Sequence, residues 1–221
     1  MRTVTLDNIF LSTLASLDAK LKQNPPIWTP TCKFWNLMEL TPDGLGEFGE
    51  NFATTLLKEL GKPYDIKCST STDVKEYDIL ITHQLSRMSM GVEVKTATLG
   101  NSAPSFQHEN IEPRRRFDAI LFMDFAPDEL YATFLTKSEI PFDRCEPHNK
   151  LLPHPGPIHQ RKERSGVYKW DFKIPGPRSK QNGVLMNRVS TIEDFLSKYR
   201  NMESRYLKLT EPKRDFGNII S

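Results

Sequence analysis

Two carboxylates and a lysine stand where they could bind a metal ion and activate water. Asp78 lies near the start of an aliphatic run at 77–82, and Glu93 and Lys95 alternate with valines at 90–96. This period of two is typical of a half-buried strand and puts Glu93 and Lys95 on one face. If the two runs pair, Asp78 lies beside Glu93, and a divalent ion such as Mg²⁺, which takes oxygen ligands, would relieve their repulsion. Ordinary exposed strands show the same alternation, so the surrounding elements are needed to distinguish a metal site from an ordinary strand.

The composition predicts a single globular domain. Of the 221 residues, 38% are hydrophobic and 26% are charged, which is enough for one buried core. No apolar run approaches the roughly 18 to 20 residues that a membrane-spanning helix needs, and the first ten residues lack the features of a secretory signal. Cys32, Cys68 and Cys145 form neither an even framework nor a CxxC pair. We therefore expect a cytoplasmic protein.

The net charge of +2 conceals an asymmetry along the chain. Residues 1–149 carry 15 Lys and Arg against 21 Asp and Glu, whereas residues 150–200 carry 11 against 4. An acidic part that could hold a metal ion and a basic part that could meet phosphate suit a nuclease. A basic tail that is merely solvated is the alternative interpretation of the same counts.

The apolar periodicities predict a mixed α/β domain with its elements in a definite order. A helix at 3–22, an ordered connector at 27–44 and a helix at 46–60 come first. Strands follow at 64–69, 77–82 and 90–96, then one or two helical turns at 106–112 and a strand hairpin at 117–125 and 130–136. The last part is predicted as loop at 151–166, strand at 166–174, loop at 175–183 and helix at 191–205. The run at 119–123 is apolar on both faces, which predicts a central strand.

The order helix, three strands, short helix and strand (αβββαβ), with Asp78, Glu93 and Lys95 as a D…ExK triad, resembles the PD-(D/E)xK nuclease superfamily. Within it, the chain resembles the type II restriction endonucleases. The helix sequence GEFGENFATTLLKELG is similar to the G-x-x-G-E-x-x-A-x-x-x-L-x-x-x-G run of several branches, and Glu50 falls on the family's glutamate. Tyr77 stands where the family has a proline before the aspartate. The resemblance implies a restriction-endonuclease-like core, a central mixed β-sheet flanked by helices.

The resemblance also implies a metal-dependent active site. Asp78, Glu93 and the backbone carbonyl of Val94 would bind one or two Mg²⁺ ions. A bound metal ion lowers the pKa of water and polarises a phosphate, which is the chemistry that phosphodiester hydrolysis needs. Lys95 would orient the attacking water or stabilise its hydroxide form. Glu50 would accept a hydrogen bond behind the metal or bind a second ion.

Three further side chains are weaker candidates for the active site. Glu47, like Glu50, lies near the predicted start of its helix, where a carboxylate also favours the helix dipole, and this structural role is the alternative for both. Gln107 matches a glutamine that several branches carry near the active site, which makes it a candidate catalytic assistant; a surface glutamine is the alternative. His108, beside it, is expected to be solvated.

Basic side chains that could contact DNA phosphates fall into two groups. They are Arg114, Arg115 and Arg116 before the predicted hairpin, and Arg161, Lys162, Arg164 and Lys169 in the basic part, where Tyr168 and Trp170 are interleaved. Solvated turns are rich in the same residues, so neither group identifies a residue that reads bases. A zinc site at Cys145, His148, His154 and His159 is disfavoured, because their spacing fits no tetrahedral pattern.

The function expected from this resemblance is that of a Mg²⁺-dependent endonuclease that cuts double-stranded DNA at a short specific sequence, as a two-fold homodimer. Residues 46–137 would form the catalytic core of the single domain, preceded by a helix and connector at 1–45 and followed by a basic DNA-binding part at 138–221. A repair, recombination or phage nuclease of the same fold, which recognises DNA structure, is the first alternative. A DNA-binding module without catalytic activity is the second.

Overall fold

The computed structural model describes residues 27–68, 76–101, 103, 105–140, 159–162, 168–178 and 187–210. Several predictions lie outside the described residues: the helix at 3–22, Cys145, His148, His154, Arg164, and the side chains of His159, Arg161, Lys162, Tyr168 and Lys169. Within the described part, no helix has the length and apolar character that crossing a membrane requires.

The described residues form two α-helices and nine strands. The helices are α1 (Pro42–Lys58) and α2 (Ile192–Thr210). The strands are β1 (Tyr64–Cys68), β2 (Ile79–His83), β3 (Met88–Thr98), β4 (Ser105–Ile111), β5 (Ala119–Phe125), β6 (Leu130–Thr136), β7 (His159–Lys162), β8 (Tyr168–Pro175) and β9 (Arg188–Val189). Two short 3₁₀ helices, Trp35–Glu39 and Lys137–Glu139, precede α1 and follow β6.

A six-stranded sheet in the order β1-β2-β3-β5-β6-β9 organises the domain. Strands β3 and β5 are parallel, whereas the other neighbours are antiparallel, so the sheet is mixed. Every residue of β5 is buried, as expected for a central strand. The predicted fold class, a central mixed β-sheet flanked by helices, is confirmed.

The two faces of this sheet bury separate hydrophobic cores. On one face, Leu57 of α1 and Phe195 of α2 belong to the same core as Leu121 of β5. On the other face, Phe122 of β5 shares a core with Trp170 of β8. Leu121 and Phe122 are consecutive, and successive strand residues point to opposite faces, so one apolar run supplies both cores.

Helix α1 begins earlier than its apolar stripe predicts. The Thr41 side chain caps its N-terminus, and Gly61, with a φ of 64°, follows its end. Asp43 occupies the first turn, while Glu47 and Glu50 stand one and two turns further along. Because the field of the helix dipole falls off within the first turn, the dipole role considered for Glu47 and Glu50 is wrong.

The helical turns predicted at 106–112 are wrong, because this segment forms β4. Phe106, His108 and Ile111 are buried, and β4 pairs antiparallel with β8. The register shifts between His108 and Ile111, where Asn110 has a φ of 62°. This bulge produces a three-residue step between buried positions that imitates helical spacing. The short helix of the αβββαβ order is therefore replaced by a strand.

That strand belongs to a second sheet, of order β4-β8-β7, in which a strand of the predicted core pairs with two strands of the predicted DNA-binding part. The segment predicted as loop at 151–166 contains β7, so that prediction is wrong at 159–162. Its sequence, HQRK, has no apolar alternation, and only the pairing with β8 makes it a strand. The predicted C-terminal helix is confirmed with its capping box: Asp194 N donates to Thr191 Oγ1 at 3.1 Å, and Thr191 N donates to Asp194 Oδ2 at 2.9 Å.

Candidate active site

The candidate site lies at the edge of β3, where the pairing with β2 stops. The ladder ends at Ile79 opposite Val92, and Asp78 N donates to Val92 O at 3.0 Å. One step further, Val94 N donates to Asp78 Oδ2 at 2.7 Å. The Asp78 side chain thus takes the place of the next strand residue and is held beside Glu93. The predicted juxtaposition of the two carboxylates is observed.

Two cationic side chains contact the Glu93 carboxylate. Lys95 Nζ lies 3.0 Å from Glu93 Oε1, and Arg115 Nη1 donates to the same oxygen at 2.5 Å. Arg115 Nη2 also lies 3.6 Å from Asp78 Oδ1, so the guanidinium spans both acids. The cluster therefore contains two carboxylates and two cations, of which Arg115 was predicted only as a DNA contact.

Burial dominates the electrostatics of Glu93. Its side chain is 1% exposed, and desolvation raises its pKa, with a further contribution from Asp78; the nearby Lys95 and Arg115 oppose this shift. Its second oxygen, Oε2, is buried and has no hydrogen-bond partner among the described residues. A buried carboxylate oxygen without a partner is costly and fits a site that is completed by a ligand.

The acids open into a polar cleft of about 540 Å³. The described residues that line it are Pro42, Gly46, Glu50, Asp78, Glu93, Val94, Lys95, Thr96, Asn110, Glu112 and Arg115. Helix α1 reaches this cleft because Gly49 packs directly on Thr96: a Cβ on Gly49 would lie 1.7 Å from Thr96 Oγ1. The glycine thereby places Glu50 in the wall of the cleft.

The structure brings most predicted active-site residues together, with one exception. Glu50, Asp78, Glu93, Val94 and Lys95 all line the cleft. Gln107 does not line it: it is exposed on β4, and its Nε2 donates to Glu109 Oε1 at 2.7 Å. The predicted short helix that would have pointed this glutamine at the site does not exist.

The three consecutive arginines have different environments. Arg114 and Arg116 are exposed on the loop between β4 and β5, whereas Arg115 turns into the cleft. Lys137 Nζ donates to Arg115 O at 2.5 Å and fixes the loop. The role of Arg115 beside the acids was missed, because the sequence shows a basic run but gives no sign of which member folds inward.

The side chains of the cleft provide enough ligands for one Mg²⁺ ion but not for two. Among the described residues, no three His, Cys, Asp or Glu side chains converge in a group that could hold one. The site offers two carboxylates and the unpartnered Glu93 Oε2. Mg²⁺ commonly binds one or two carboxylates and keeps several waters or substrate oxygens, so these residues fit one such ion. A second ion would need Glu50 to join the acids, and the described side chains form no such trio.

A buried histidine–aspartate pair lies between the two sheets. His108 Nε2 is 2.8 Å from Asp124 Oδ1, and both side chains are 0% exposed. The His108 ring lies 4.7 Å from that of Phe122, centroid to centroid. Burial raises the pKa of Asp124, and His108 opposes the shift. The expectation that His108 is solvated is wrong, because β4 turns this residue into the interior.

Another cavity, of about 200 Å³, lies between α2 and strands β1 to β3. Tyr64 Oη and Tyr199 Oη donate to the two oxygens of Glu203 at 2.9 and 3.0 Å. Burial, together with Glu203, raises the pKa of Tyr64 to about 12. Among the described residues that line this cavity, Glu203 is the one carboxylate and is satisfied by two phenols, so these residues do not repeat the paired acids and cations of the cleft.

Comparison with known proteins identifies no family. No protein-family model matches the chain, and no curated protein matches it in sequence. Among solved structures, the chain is similar to a bacterial homing endonuclease, I-Ssp6803I, with 11% sequence identity and a TM-score of 0.36. The match covers 76% of this chain and 98% of that one.

Proposed function

We propose that this protein is a metal-dependent nuclease that hydrolyses phosphodiester bonds in DNA. The observation that supports this most strongly is the meeting of Asp78, Glu93 and Lys95 at the open edge of β3, in a polar cleft where Glu93 Oε2 has no partner among the described residues. Two carboxylates beside a lysine in the wall of an open cleft suit metal-assisted hydrolysis of a phosphate ester.

The metal ion would be Mg²⁺, held by Asp78 and Glu93. When bound, such an ion lowers the pKa of a water molecule and polarises the phosphate. Asp78 is positioned for this by the bond from Val94 N, which fixes its carboxylate at the strand edge. Lys95 Nζ, 3.0 Å from Glu93, would orient the attacking water and favour its hydroxide form.

The substrate would be double-stranded DNA. The exposed Arg114 and Arg116 flank Arg115, which lines the cleft, and they could contact neighbouring phosphates. Residues 150–200 are strongly basic, which suits a surface that follows the backbone of a duplex. We further propose sequence-specific cleavage by a homodimer of the type II restriction kind, on the resemblance of the helix and triad motifs.

Digestion of plasmid DNA with Mg²⁺ and with EDTA tests the activity. We expect discrete fragments with Mg²⁺ and none with EDTA, and sequencing of the ends would give the target. Asp78→Asn and Lys95→Ala should remove cleavage while DNA binding, measured by anisotropy, stays. Full cleavage by both variants would contradict the assignment of the site.

The second candidate is a nuclease that recognises DNA structure, which the same triad would serve. Incubation with branched and flapped duplexes separates the two. Cutting confined to junctions or flaps, with linear duplexes left intact, would favour this candidate over sequence-specific cleavage.

A further inference from the structure

Arg115 lies where a divalent ion on the two acids would be placed. Its guanidinium contacts Glu93 Oε1 at 2.5 Å and comes within 3.6 Å of Asp78 Oδ1. Lys95 contacts the same Glu93 oxygen, so Oε1 is shared by two cations while Oε2 has no partner among the described residues. A metal ion bound to both carboxylates would lie close to the guanidinium, and charges of like sign at that distance repel.

The loop that carries Arg115 is fixed by its backbone. Arg115 N donates to Glu112 O at 3.2 Å, and Lys137 Nζ donates to Arg115 O at 2.5 Å. The next residue, Arg116, donates its N–H to Glu76 Oε2 at 2.9 Å. The Arg115 side chain is 22% exposed. The loop thus holds this arginine at the acids while leaving its side chain access to the cleft.

We propose that Arg115 is an internal counter-ion of the acid pair, which DNA and metal displace together. In the free protein it offsets, together with Lys95, the negative charge of Asp78 and Glu93. When a DNA phosphate enters, the guanidinium transfers to it, because the same planar fork binds carboxylate and phosphate, and the acids become available to the metal ion. The proposal rests on the proposed nuclease function.

Two consequences distinguish this role from that of an ordinary phosphate contact. Without DNA, Arg115 lowers the affinity of the site for metal. With DNA, that penalty is relieved, so DNA and metal bind cooperatively, and by linkage each raises the affinity for the other by the same factor. An arginine that only contacts phosphate would leave metal binding to the free protein unchanged.

Calorimetric titration of Mn²⁺ into the DNA-free protein tests the first consequence. We expect Arg115→Ala to bind Mn²⁺ about tenfold more tightly than the wild type, because a positive charge is removed from beside the ion. Arg200→Ala is the matched control. It removes an Arg–Glu contact of the same 2.5 Å length, to Glu193 on the surface of α2, and should change the affinity by less than about twofold.

The second consequence is tested by titrating Ca²⁺ into the protein, with and without a short DNA duplex, and comparing the two affinities. A gel run after the titration must show that the duplex was not cut. We expect DNA to raise the metal affinity of the wild type and to raise that of Arg115→Ala much less. Should Arg115→Ala lack a cooperative unfolding transition, Arg115→Gln, which removes the charge and keeps hydrogen bonding, carries the same expectations.

The outcomes separate this inference from the proposed function. Mn²⁺ binding that depends on Asp78 but is equal in wild type and Arg115→Ala would overturn the inference and leave the nuclease proposal intact. Absence of Mn²⁺ binding in both proteins, together with absence of cleavage, would contradict the nuclease proposal itself.

Discussion

Two clusters among the described residues contain buried carboxylates that meet basic side chains, and their surroundings differ. Asp78 and Glu93 meet Lys95 at the wall of a cleft of about 540 Å³. Asp124 meets His108 in the sealed space between the two sheets, where both side chains are 0% exposed. The first cluster has an opening through which a substrate could enter, and the second has none.

This difference shows why charge pairing alone does not identify an active site. Burial raises the pKa of Glu93 and of Asp124 alike. What separates them is position in the sheet. Glu93 lies where β2 stops and leaves the edge of β3 open, whereas Asp124 lies on a central strand covered by β4. We interpret the first as a site that binds a ligand and the second as a structural pair.

The distinction between a ligand-binding cluster and a structural pair is tested most strongly by replacing one acid of the cleft with its amide. Glu93→Gln keeps the shape and removes the charge that would bind metal, so cleavage should fall at least about 100-fold. Because Lys95 and Arg115, which would lose this contact, are both partly exposed, and Arg115 remains near Asp78, the free energy of unfolding should change by no more than about 1 kcal/mol. Plasmid cleavage and urea unfolding measure the two effects. A variant that is unfolded, or one that cuts DNA normally, would contradict a ligand-binding role for this cluster.

For the buried pair of His108 and Asp124 we expect the opposite, a large loss of stability and little change in cleavage. His108→Ala leaves Asp124 enclosed without its partner, which should lower the free energy of unfolding by about 3 kcal/mol. Cleavage at a temperature where the variant is folded should stay near the wild-type rate. Loss of cleavage in folded His108→Ala would give this pair a role in catalysis and contradict the comparison.

The packing of α1 on β3 links fold to site and predicts a smaller effect. A Cβ at Gly49 would lie 1.7 Å from Thr96 Oγ1, so Gly49→Ala should cost about 1 to 3 kcal/mol and reduce cleavage by moving Glu50. Gly46→Ala is the matched control: its Cβ would meet no atom within 4 Å, and alanine should stabilise the helix by about 0.5 to 1 kcal/mol. Equal effects of the two substitutions on stability would argue against this contact.

The titration of Asp124 predicts an effect that appears only as the pH is changed. Its pKa in the folded protein is raised from the ordinary value of 3.8, so its contribution to stability is full below that value and is lost as pH rises through the folded pKa. Asp124→Asn cannot ionise, so its stability relative to wild type should improve with rising pH, by at most about 1.4 kcal/mol per pH unit. Urea unfolding from pH 4 to pH 8 measures this; a constant difference would contradict it.

The sequence predicted the residues of the cleft more accurately than the secondary-structure elements around it. Alternation at 90–96 and the aliphatic run at 77–82 are local patterns, and they correctly placed Asp78 beside Glu93. Glu50, which the resemblance of the helix motif assigned to the site, lines the same cleft. The strand predictions succeeded because the side-chain period of a strand is fixed by its backbone geometry.

The largest failure, at β4, comes from pairing with a distant segment. The β4 segment forms a strand only because β8, about sixty residues later, pairs with it, and its bulge at Asn110 disguised the strand period. His108 and Gln107 were misplaced for the same reason. The inward turn of Arg115 depends on bonds to Glu112 and Lys137, and no local pattern encodes it.

Anomalous diffraction from crystals that contain Mn²⁺ tests most directly whether the two acids of the cleft bind a metal ion. We expect a peak between the carboxylates of Asp78 and Glu93, within about 2.0 to 2.3 Å of an oxygen of each. The peak should be absent from crystals of Glu93→Gln. Metal bound elsewhere on the described surface, with no peak between these two acids, would contradict the proposed metal site.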